Sequence, residues 1–165
     1  MIVYNGYLKI DKVQIELKDG RKAVREILKV KNSVGVLCRI VGTENYLLVR
    51  QFRAPVNRHV LEIVAGGVED FESPVEAAKR EVEEELGRKV LDIKGLLTTL
   101  SSPGITTERI FLFSAVVSNI ADKQKLDDTE EIKIEKYTRS ELKTLVENDR
   151  IHDSKTLISI LKELF

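Results

Sequence analysis

The sequence between residues 73 and 87 marks both ends of one helix. Ser73 is a good N-cap residue, Pro74 suits the first helical position, and Glu76 completes a capping box three residues after Ser73. Gly87 can end the helix in a left-handed conformation. One face of the predicted helix is apolar at helical spacing, and it consists of Val75, Ala78, Val82 and Leu86. A helix of this kind has to cover a core that other elements supply.

Segments with the pattern of strands lie on both sides of this helix. Val34–Val41, which is apolar apart from Arg39, predicts a central strand buried on both faces. We expect Gly66 and Gly67 to turn the chain into the helix. The other predicted elements are strands at Tyr46–Phe52, Val60–Val64, Val90–Leu100, Ile110–Val117 and Ile132–Tyr137, and helices at Ser140–Glu147 and Ser154–Leu164. Strands before, between and after helices predict a mixed α/β chain.

The first thirty residues have the pattern of short strands. Tyr7–Ile10 and Val13–Leu17 are predicted as two strands, and Ala23–Val30 as a third. The turn pair Asp19-Gly20 favours a hairpin, because a primed turn needs a positive φ that glycine tolerates. We therefore expect a small antiparallel sheet in residues 1–31, beside a main domain in residues 32–165.

Composition excludes several classes of function. Lys+Arg and Asp+Glu balance at 27 each, so no overall charge favours nucleic acid or an anionic membrane surface. Cys38 is the only cysteine, which rules out an internal disulfide and argues against a Cys-based zinc site. The N-terminus lacks a basic segment, and no apolar run approaches the about 20 residues of a membrane span. We expect a cytoplasmic protein that binds neither nucleic acid nor membrane.

The face of the predicted helix opposite its apolar residues is acidic. Glu81, Glu84 and Glu85 are related by i, i+3 and i+4, so their carboxylates converge on one side. A divalent cation would relieve their repulsion, and Mg²⁺ is commonly shared between carboxylates and the phosphates of a substrate. The alternative interpretation is a solvated face whose charge is neutralised by neighbouring Lys and Arg side chains.

The spacing of charges and glycines around this face matches a known pattern. It runs Gly, five residues, Glu, seven residues, then Arg-Glu-apolar-x-Glu-Glu-x-Gly, and over residues 66–88 it resembles the motif of Nudix hydrolases. The matching residues are Gly66, Glu72, Arg80, Glu81, Glu84, Glu85 and Gly87. Two positions depart from the family: Arg88 stands where an aliphatic residue is expected, and Phe71 stands where glycine is common.

This resemblance implies a role for each matching residue. Glu81, Glu84 and Glu85 would be metal ligands, with the carbonyl oxygen of Ala65 as a further ligand, and Glu85 would also act in catalysis. Arg80 would pair with Glu72 and hold the preceding loop against the helix. The structural residues of the motif would be Gly66, Glu72, Arg80 and Gly87. The implied cofactor is Mg²⁺, with Mn²⁺ as an alternative.

The flanking segments resemble those of ADP-ribose pyrophosphatases within the family. Gln51-Phe52-Arg53 and Leu61–Gly66 are similar to the Gln-aromatic-Arg and Glu-aliphatic-Pro-Ala-Gly segments of that subfamily, although Val64 replaces the proline. Pro103 lies fifteen residues beyond Arg88, where the subfamily places a proline. The alternative interpretation of Pro103 is an ordinary turn, since Pro-Gly pairs mark turns in many proteins.

The same resemblance suggests which residues contact the substrate, namely Arg53, Glu62, Pro103, Gly104 and Glu108. Arg53 is the best candidate for a phosphate contact, because a guanidinium can bind two phosphate oxygens at once. A salt bridge on the surface is the alternative for this arginine. Glu108 would lie at the terminal ribose or bind a metal-bound water.

An acidic segment at residues 127–131 precedes the strand predicted at Ile132. In ADP-ribose pyrophosphatases a loop at this place supplies a glutamate that acts as general base or closes over the metals. Glu130 is the first choice for this residue and Glu131 the second. The alternative is a solvated acidic loop without a catalytic role.

The resemblance as a whole implies a Nudix α/β/α sandwich with a mixed central sheet and a small N-terminal antiparallel β-subdomain. The implied reaction is the hydrolysis of ADP-ribose to AMP and ribose 5-phosphate. Another nucleoside diphosphate sugar or a dinucleotide is the alternative substrate, and a non-catalytic binding module is the alternative class. The N-terminal strands would help to build a homodimer.

Overall fold

The structure is a computed structural model, and it describes residues 8–126 and 130–165. Its strands are β1 (Lys9–Glu16), β2 (Lys22–Lys29), β3 (Ser33–Ile40), β4 (Asn45–Arg53), β5 (Arg58–Glu62), β6 (Val64–Gly67), β7 (Val90–Leu100), β8 (Arg109–Val117) and β9 (Ile132–Thr138). Its helices are α1 (Pro74–Leu86), α2 (Arg139–Glu147) and α3 (Ser154–Leu164). Within the described ranges, no helix is long and apolar enough to cross a membrane.

The strand that was predicted to be central, β3, lies inside a mixed sheet that has seven strands in the described chain. β8 pairs with β3 in parallel from Ser33 to Ile40. On the other edge of β3, β6 pairs antiparallel with Ser33–Val36, and β4 pairs antiparallel with Cys38 and Arg39. β5 and β9 extend the sheet from β4, and β7 extends it from β8. Two strands therefore share one edge of β3, and β6 is the one that leads into α1.

Helices cover both faces of this sheet. Successive side chains of a strand point to opposite sides, so neighbouring residues of β3 pack against different helices. Val36 of β3 belongs to the core cluster that includes Val82 of α1. Leu37, the next residue of β3, belongs to the cluster that includes Leu142 of α2 and Ile160 of α3. The predicted α/β/α sandwich is confirmed, with α1 on one side of the sheet and α2 and α3 on the other.

The helix α1 begins and ends where its capping residues predicted. Ser73 and Glu76 form the reciprocal hydrogen bonds of a capping box, and Gly87 ends the helix with a φ of 61°. Its buried face differs from the predicted one, because Val75 in the first turn is 40% exposed and Glu85 is only 5% exposed. Glu85 follows the buried Val82 by three residues, so helical geometry brings it to the edge of the buried face.

The prediction of two short strands before Leu17 was wrong, because β1 is continuous from Lys9 to Glu16. Asp11 and Lys12, which lie between the two predicted strands, have partners across the hairpin: Lys12 lies 3.3 Å from Glu26, and Asp11 lies 3.7 Å from Lys29. The hairpin partner β2 lies where the third N-terminal strand was predicted. Its Leu28 N–H donates to the carbonyl oxygen of Ile105 at 2.8 Å, which joins the small sheet to the segment between β7 and β8.

The chain between the predicted strand at Val60–Val64 and α1 also differs from the prediction. That strand is two strands, β5 and β6, which pair with β4 and β3 respectively. Gly66 and Gly67 do not form the turn into α1, because they pair with Val34 and Ser33 as the end of β6. The turn follows them, and within it Phe71 has a φ of 68°, a left-handed conformation that favours glycine.

Candidate active site

Arg80 on α1 contacts the segment of chain that leads into the helix. Its Nε donates to Glu72 Oε1 at 2.9 Å, and its Nη2 donates to Glu72 Oε2 at 3.1 Å and to the Gly67 carbonyl oxygen at 2.9 Å. The hydrogen bond with Arg80 lowers the pKa of Glu72 and raises that of the guanidinium. The predicted pair of Arg80 and Glu72 is therefore present, and it holds the loop against the helix.

The same guanidinium contacts two of the three acidic residues on α1. Arg80 Nη1 donates to Glu81 Oε1 at 2.7 Å and to Glu84 Oε2 at 3.0 Å. These bonds offset part of the repulsion that the spacing of the carboxylates creates. With these oxygens turned to Arg80, no group of three or more His, Cys, Asp or Glu side chains in the described ranges is arranged to hold a metal ion.

Glu85 is the buried one of the three acidic residues on α1. It is 5% exposed, and its Oε2 has no hydrogen-bond partner among the described residues. Burial, and then the charge of Glu81, raise the pKa of Glu85 to about 8, while the backbone of Ala65 acts in the opposite direction. Burial also raises the pKa of Glu81. An unpaired carboxylate oxygen is costly in a protein interior, and a bound cation is one way to satisfy it.

Gly66 leaves room for the carboxylate of Glu81. A Cβ atom at residue 66 would lie 1.9 Å from Glu81 Oε1, far inside any real contact distance. At Gly67, by contrast, a Cβ atom would meet nothing within 4 Å. A side chain at residue 66 would therefore displace the carboxylate of Glu81, and Gly66 keeps open the space that this carboxylate occupies.

A cleft of about 520 Å³ brings these groups together, and we call it the acidic cleft. It is lined by Ala65 and Gly66 of β6, by Arg80, Glu81, Glu84 and Glu85 of α1, and by Glu130. The carboxylates and the backbone of Ala65 offer oxygen atoms, which are the ligands that Mg²⁺ and Ca²⁺ prefer. The donor atoms of this cleft are therefore of the kind that a divalent cation binds, and Glu81 and Glu84 would have to turn from Arg80 to reach one.

A second cleft, of about 630 Å³, adjoins the first, and we call it the Arg53 cleft. The two clefts share Lys31 and the backbone of residues 65–67. Arg53, Glu108 and Lys155 line the Arg53 cleft. The carboxylate of Glu108 accepts a hydrogen bond from Ser33 Oγ at 2.7 Å. The structure thus brings two of the predicted substrate contacts, Arg53 and Glu108, beside the acidic residues of α1.

Glu62, which was also predicted to contact the substrate, does not line this cleft, but its carboxylate has two cationic partners that do. Arg53 donates to both of its oxygens, and Lys155 donates to Oε2. Burial alone would raise the pKa of Glu62, but the bonds with Arg53 and Lys155 lower it. The sequence offered no signal for Lys155, because its partner Glu62 is 93 residues away in the chain.

Pro103 and Gly104 do not line the acidic cleft or the Arg53 cleft. They lie in a turn closed by the hydrogen bond from Ile105 N–H to the Ser102 carbonyl oxygen at 3.0 Å. Ile105 in turn accepts the bond from Leu28 of β2. The structure therefore puts the Pro-Gly turn against the N-terminal sheet, and a substrate contact at these two residues stays a prediction.

Of the two glutamates proposed as general base, Glu130 lines the acidic cleft and Glu131 does not. Glu130 is close enough for its charge to raise the pKa of both Glu81 and Glu85. The rest of the predicted acidic segment, residues 127–129, lies outside the described residues. Gln124, which the sequence did not single out, donates through Nε2 to the Glu85 carbonyl oxygen at 2.6 Å and to the Ile132 carbonyl oxygen at 3.4 Å.

The fold and the acidic cleft define an α/β/α protein with a carboxylate-lined site along the C-terminal half of its first helix. The NUDIX domain family matches residues 30–157, which is well over half of the chain. The chain belongs to the Nudix family, and the prediction of a Nudix hydrolase is confirmed. Hydrolases of this family generally use a divalent metal ion.

Several known proteins are similar to the chain over most of its length. An ADP-ribose pyrophosphatase of Bacillus subtilis (strain 168) is 33% identical over 147 residues, which cover 88% of this chain and 79% of that protein. A methanol dehydrogenase activator of Bacillus methanolicus is 31% identical over 162 residues, which cover 96% and 86%. A GDP-mannose pyrophosphatase of Yersinia enterocolitica is 30% identical over 171 residues, which cover 95% and 88%.

A solved structure described as an ADP compounds hydrolase has the same fold. It superimposes with a TM-score of 0.82 and covers 98% of this chain and 86% of its own. At 18% sequence identity, this likeness shows the fold alone.

Proposed function

We propose that the chain hydrolyses the diphosphate of ADP-ribose to AMP and ribose 5-phosphate, with Mg²⁺ as its cofactor. The observation that carries this proposal is the partnerless Oε2 of Glu85, buried in a cleft that Glu81, Glu84 and Glu130 also line. The choice of substrate is supported by the similar protein that is named ADP-ribose pyrophosphatase. The GDP-mannose pyrophosphatase among the relatives supports a nucleoside diphosphate sugar as the second candidate.

Glu81, Glu84 and Glu85 would hold the cation, together with the carbonyl oxygen of Ala65, and Mn²⁺ is the alternative ion. When bound, a divalent cation neutralises diphosphate charge and lowers the pKa of a bound water. Arg80 would release Glu81 and Glu84 and keep its bonds to Glu72 and Gly67. The loop before α1 would then stay in place, because those bonds come from different atoms of the guanidinium than the ones released.

The remaining residues would orient the substrate and transfer a proton. Glu130 would accept a proton from the attacking water as a P–O bond forms and the bridging P–O bond breaks, with Glu131 as the second choice. Arg53 gives Nε and Nη2 to Glu62, so its Nη1 donors remain for a phosphate oxygen in the Arg53 cleft. Lys155 lines the same cleft and would add positive charge. Glu108 would contact the ribose at the far end.

A homodimer in the cytoplasm is part of the same proposal. A sheet of two strands is marginally stable in water on its own. Apolar side chains of β1 and β2 are nonetheless exposed, including Val13 and Ile15 at 37% each and Val24 at 59%. A second copy of the chain would cover them. Sedimentation of the Val13→Asp, Ile15→Asp variant should give a monomer, and an unchanged mass would remove the N-terminal sheet from the interface.

The experiment that tests the function is a panel of diphosphates. The purified chain would be incubated with Mg²⁺ or Mn²⁺ and with ADP-ribose, ADP-sugars, GDP-mannose or dinucleotides, and the products would be separated by chromatography. AMP and ribose 5-phosphate formed fastest from ADP-ribose would support the proposal. Faster release of GMP from GDP-mannose would favour the second candidate. No turnover of any diphosphate would favour a non-catalytic binding module. The relative named as a methanol dehydrogenase activator supports this alternative.

A further inference from the structure

A cavity of about 410 Å³ lies between the β4, β5 and β9 strands and the end of α2. Its basic lining residues are Arg50, Arg58, His59, Arg150 and His152, and we call it the arginine cavity. Val60, Leu61 and Leu145 form an apolar part of its wall, beside Tyr137. None of these residues lines the acidic cleft or the Arg53 cleft. The cavity is therefore separate from the proposed active site.

Two of the three arginines of this cavity have no acidic partner among the described residues, whereas the third, Arg50, has one. Arg50 pairs with Glu135, through Nε to Oε1 at 2.8 Å and Nη2 to Oε2 at 3.0 Å. No Asp or Glu is among the residues that line the cavity. Across the described chain, three arginines make no hydrogen bond or ion pair through their guanidinium groups, namely Arg58, Arg109 and Arg150. Two of those three line this one cavity.

The two unpaired guanidinium groups belong to a chain whose charges balance overall. With 27 acidic and 27 basic residues, the chain has carboxylates enough to pair its arginines on the surface. Two unpaired guanidinium groups in one concave site concentrate positive potential, which attracts an anion. Guanidinium forks match the geometry of phosphate oxygens, and imidazole N–H groups of His59 and His152 can add further donors. The apolar wall would suit the carbon skeleton of the same ligand.

We propose that the arginine cavity binds a small organic phosphate, with Arg58 and Arg150 on the phosphate group and Val60, Leu61 and Leu145 against the organic part. The volume lies within the range of small-molecule sites, which is about 300–1,000 Å³. Arg50 lines this cavity and also the adjoining cleft that contains Glu130 and Glu131. A ligand here would therefore lie one side chain away from the proposed general base without occupying the site of hydrolysis.

Calorimetry on the full chain tests this proposal without any turnover. Inorganic phosphate, ribose 5-phosphate and AMP would each be titrated in a buffer that contains EDTA, so that the acidic cleft holds no cation to attract them. Ribose 5-phosphate or AMP should bind more tightly than inorganic phosphate, since only they offer a carbon skeleton to the apolar wall. Equal affinity for all three would refute the part of the proposal that concerns this wall.

The variants Arg58→Gln and Arg150→Gln should each weaken binding by at least about tenfold, because each removes a charge-assisted hydrogen bond. Arg109→Gln is the matched control, since it removes the third unpaired guanidinium from a site outside the cavity, and binding should not change. Arg58 and Arg150 are both exposed, so the variants should keep the melting temperature of the parent.

If the double variant Arg58→Gln, Arg150→Gln binds the phosphates with the same number of sites and the same affinities as the parent, the proposal is overturned, because only the Arg53 cleft then binds them. The absence of binding for all three phosphates would overturn it as well. If no phosphate binds and the double variant changes the sedimented mass, the cavity belongs to a contact between copies of the chain. None of these readouts depends on hydrolysis, so a failure here is distinct from a failure of the proposed function.

Discussion

Arg53 donates two parallel hydrogen bonds to Glu62, from Nε to Oε1 at 2.7 Å and from Nη2 to Oε2 at 2.8 Å. Glu62 is only 2% exposed, and Lys155 bonds to the same carboxylate. A bidentate pair of this kind fixes the plane of the guanidinium as well as its position. We therefore propose that Glu62 is a positioning residue, which acts through Arg53 without lining the Arg53 cleft itself.

The variant Glu62→Gln should impair substrate binding more than chemistry. It leaves Arg53 without its negative partner at a buried site, so this guanidinium should lose its position, whereas Lys155 keeps its ion pair with Asp153. We expect KM for the preferred diphosphate to rise by about tenfold and kcat to change less, as measured by initial rates. Glu135→Gln is the matched control, because it breaks the similar bidentate pair with Arg50 outside the Arg53 cleft. Equal effects of the two variants on KM would contradict the positioning role.

Gly66→Ala should abolish most of the activity. Its Cβ would lie 1.9 Å from Glu81 Oε1, so the carboxylate would have to move out of the acidic cleft. We expect kcat to fall by about 100-fold, as for the loss of a ligand from a catalytic metal site, and the Mg²⁺ dependence to weaken. Gly67→Ala is the control, since its Cβ would meet nothing within 4 Å. Similar activity of the two variants would show that Glu81 does not need this space.

The stability of the chain without divalent cations should fall as the pH rises from about 4.5 to 8. Burial raises the pKa of Glu85 to about 8 in the fold, from an ordinary value of 4.5. Below pH 4.5 the group is protonated in both states, and between the two values only the unfolded chain loses its proton, so unfolding becomes easier. Denaturant titrations in EDTA should show this slope in the parent and a flatter one in Glu85→Gln. Equal slopes would mean that Glu85 is ionised in the folded state.

Saturating Mg²⁺ should reverse this loss of stability at pH 8, because a cation binds the ionised carboxylate that burial disfavours. The same titrations, repeated with Mg²⁺, would measure this gain in the free energy of unfolding. If Mg²⁺ raises the free energy of unfolding of Glu85→Gln by the same amount, the stabilising cation does not bind at Glu85.

Gln124 should matter for catalysis, although it is outside the family motif. Its amide joins the carbonyl oxygens of Glu85 and Ile132, and it therefore connects α1 to the start of β9 beside Glu130. We expect Gln124→Leu to lower kcat by about tenfold with little change in KM, since a displaced base acts on the chemical step. Gln14→Leu on the exposed face of β1 is the control. A loss of melting temperature without a loss of kcat would reduce Gln124 to a structural residue.

The parts of the fold that could be predicted from the sequence are those with local causes. The ends of α1 were predicted because the capping box of Ser73 and Glu76 and the left-handed Gly87 act within a few residues. The pair of Arg80 and Glu72 followed from the spacing of the family motif. These features can be predicted without knowing which strands are neighbours in the sheet.

The parts that could not be predicted depend on contacts between distant segments. Gly66 is part of a strand because Val34 lies opposite it, and no local signal distinguishes that pairing from a turn. Glu62 is buried because Arg53 and Lys155 reach it from a neighbouring strand and from α3. Burial of Glu85, which sets its pKa, likewise depends on how closely α1 lies on β6.

The most direct test of the central claim is the rate of ADP-ribose hydrolysis, in saturating Mg²⁺, by the parent chain, Glu85→Gln and Glu83→Gln. Glu83 is an exposed residue of the same helix and undergoes the same chemical change, so it controls for the loss of one carboxylate. We predict that Glu85→Gln lowers kcat by at least about 100-fold while keeping the fold, and that Glu83→Gln leaves kcat within about threefold of the parent. Near-normal turnover by Glu85→Gln would contradict a catalytic cation site on this helix.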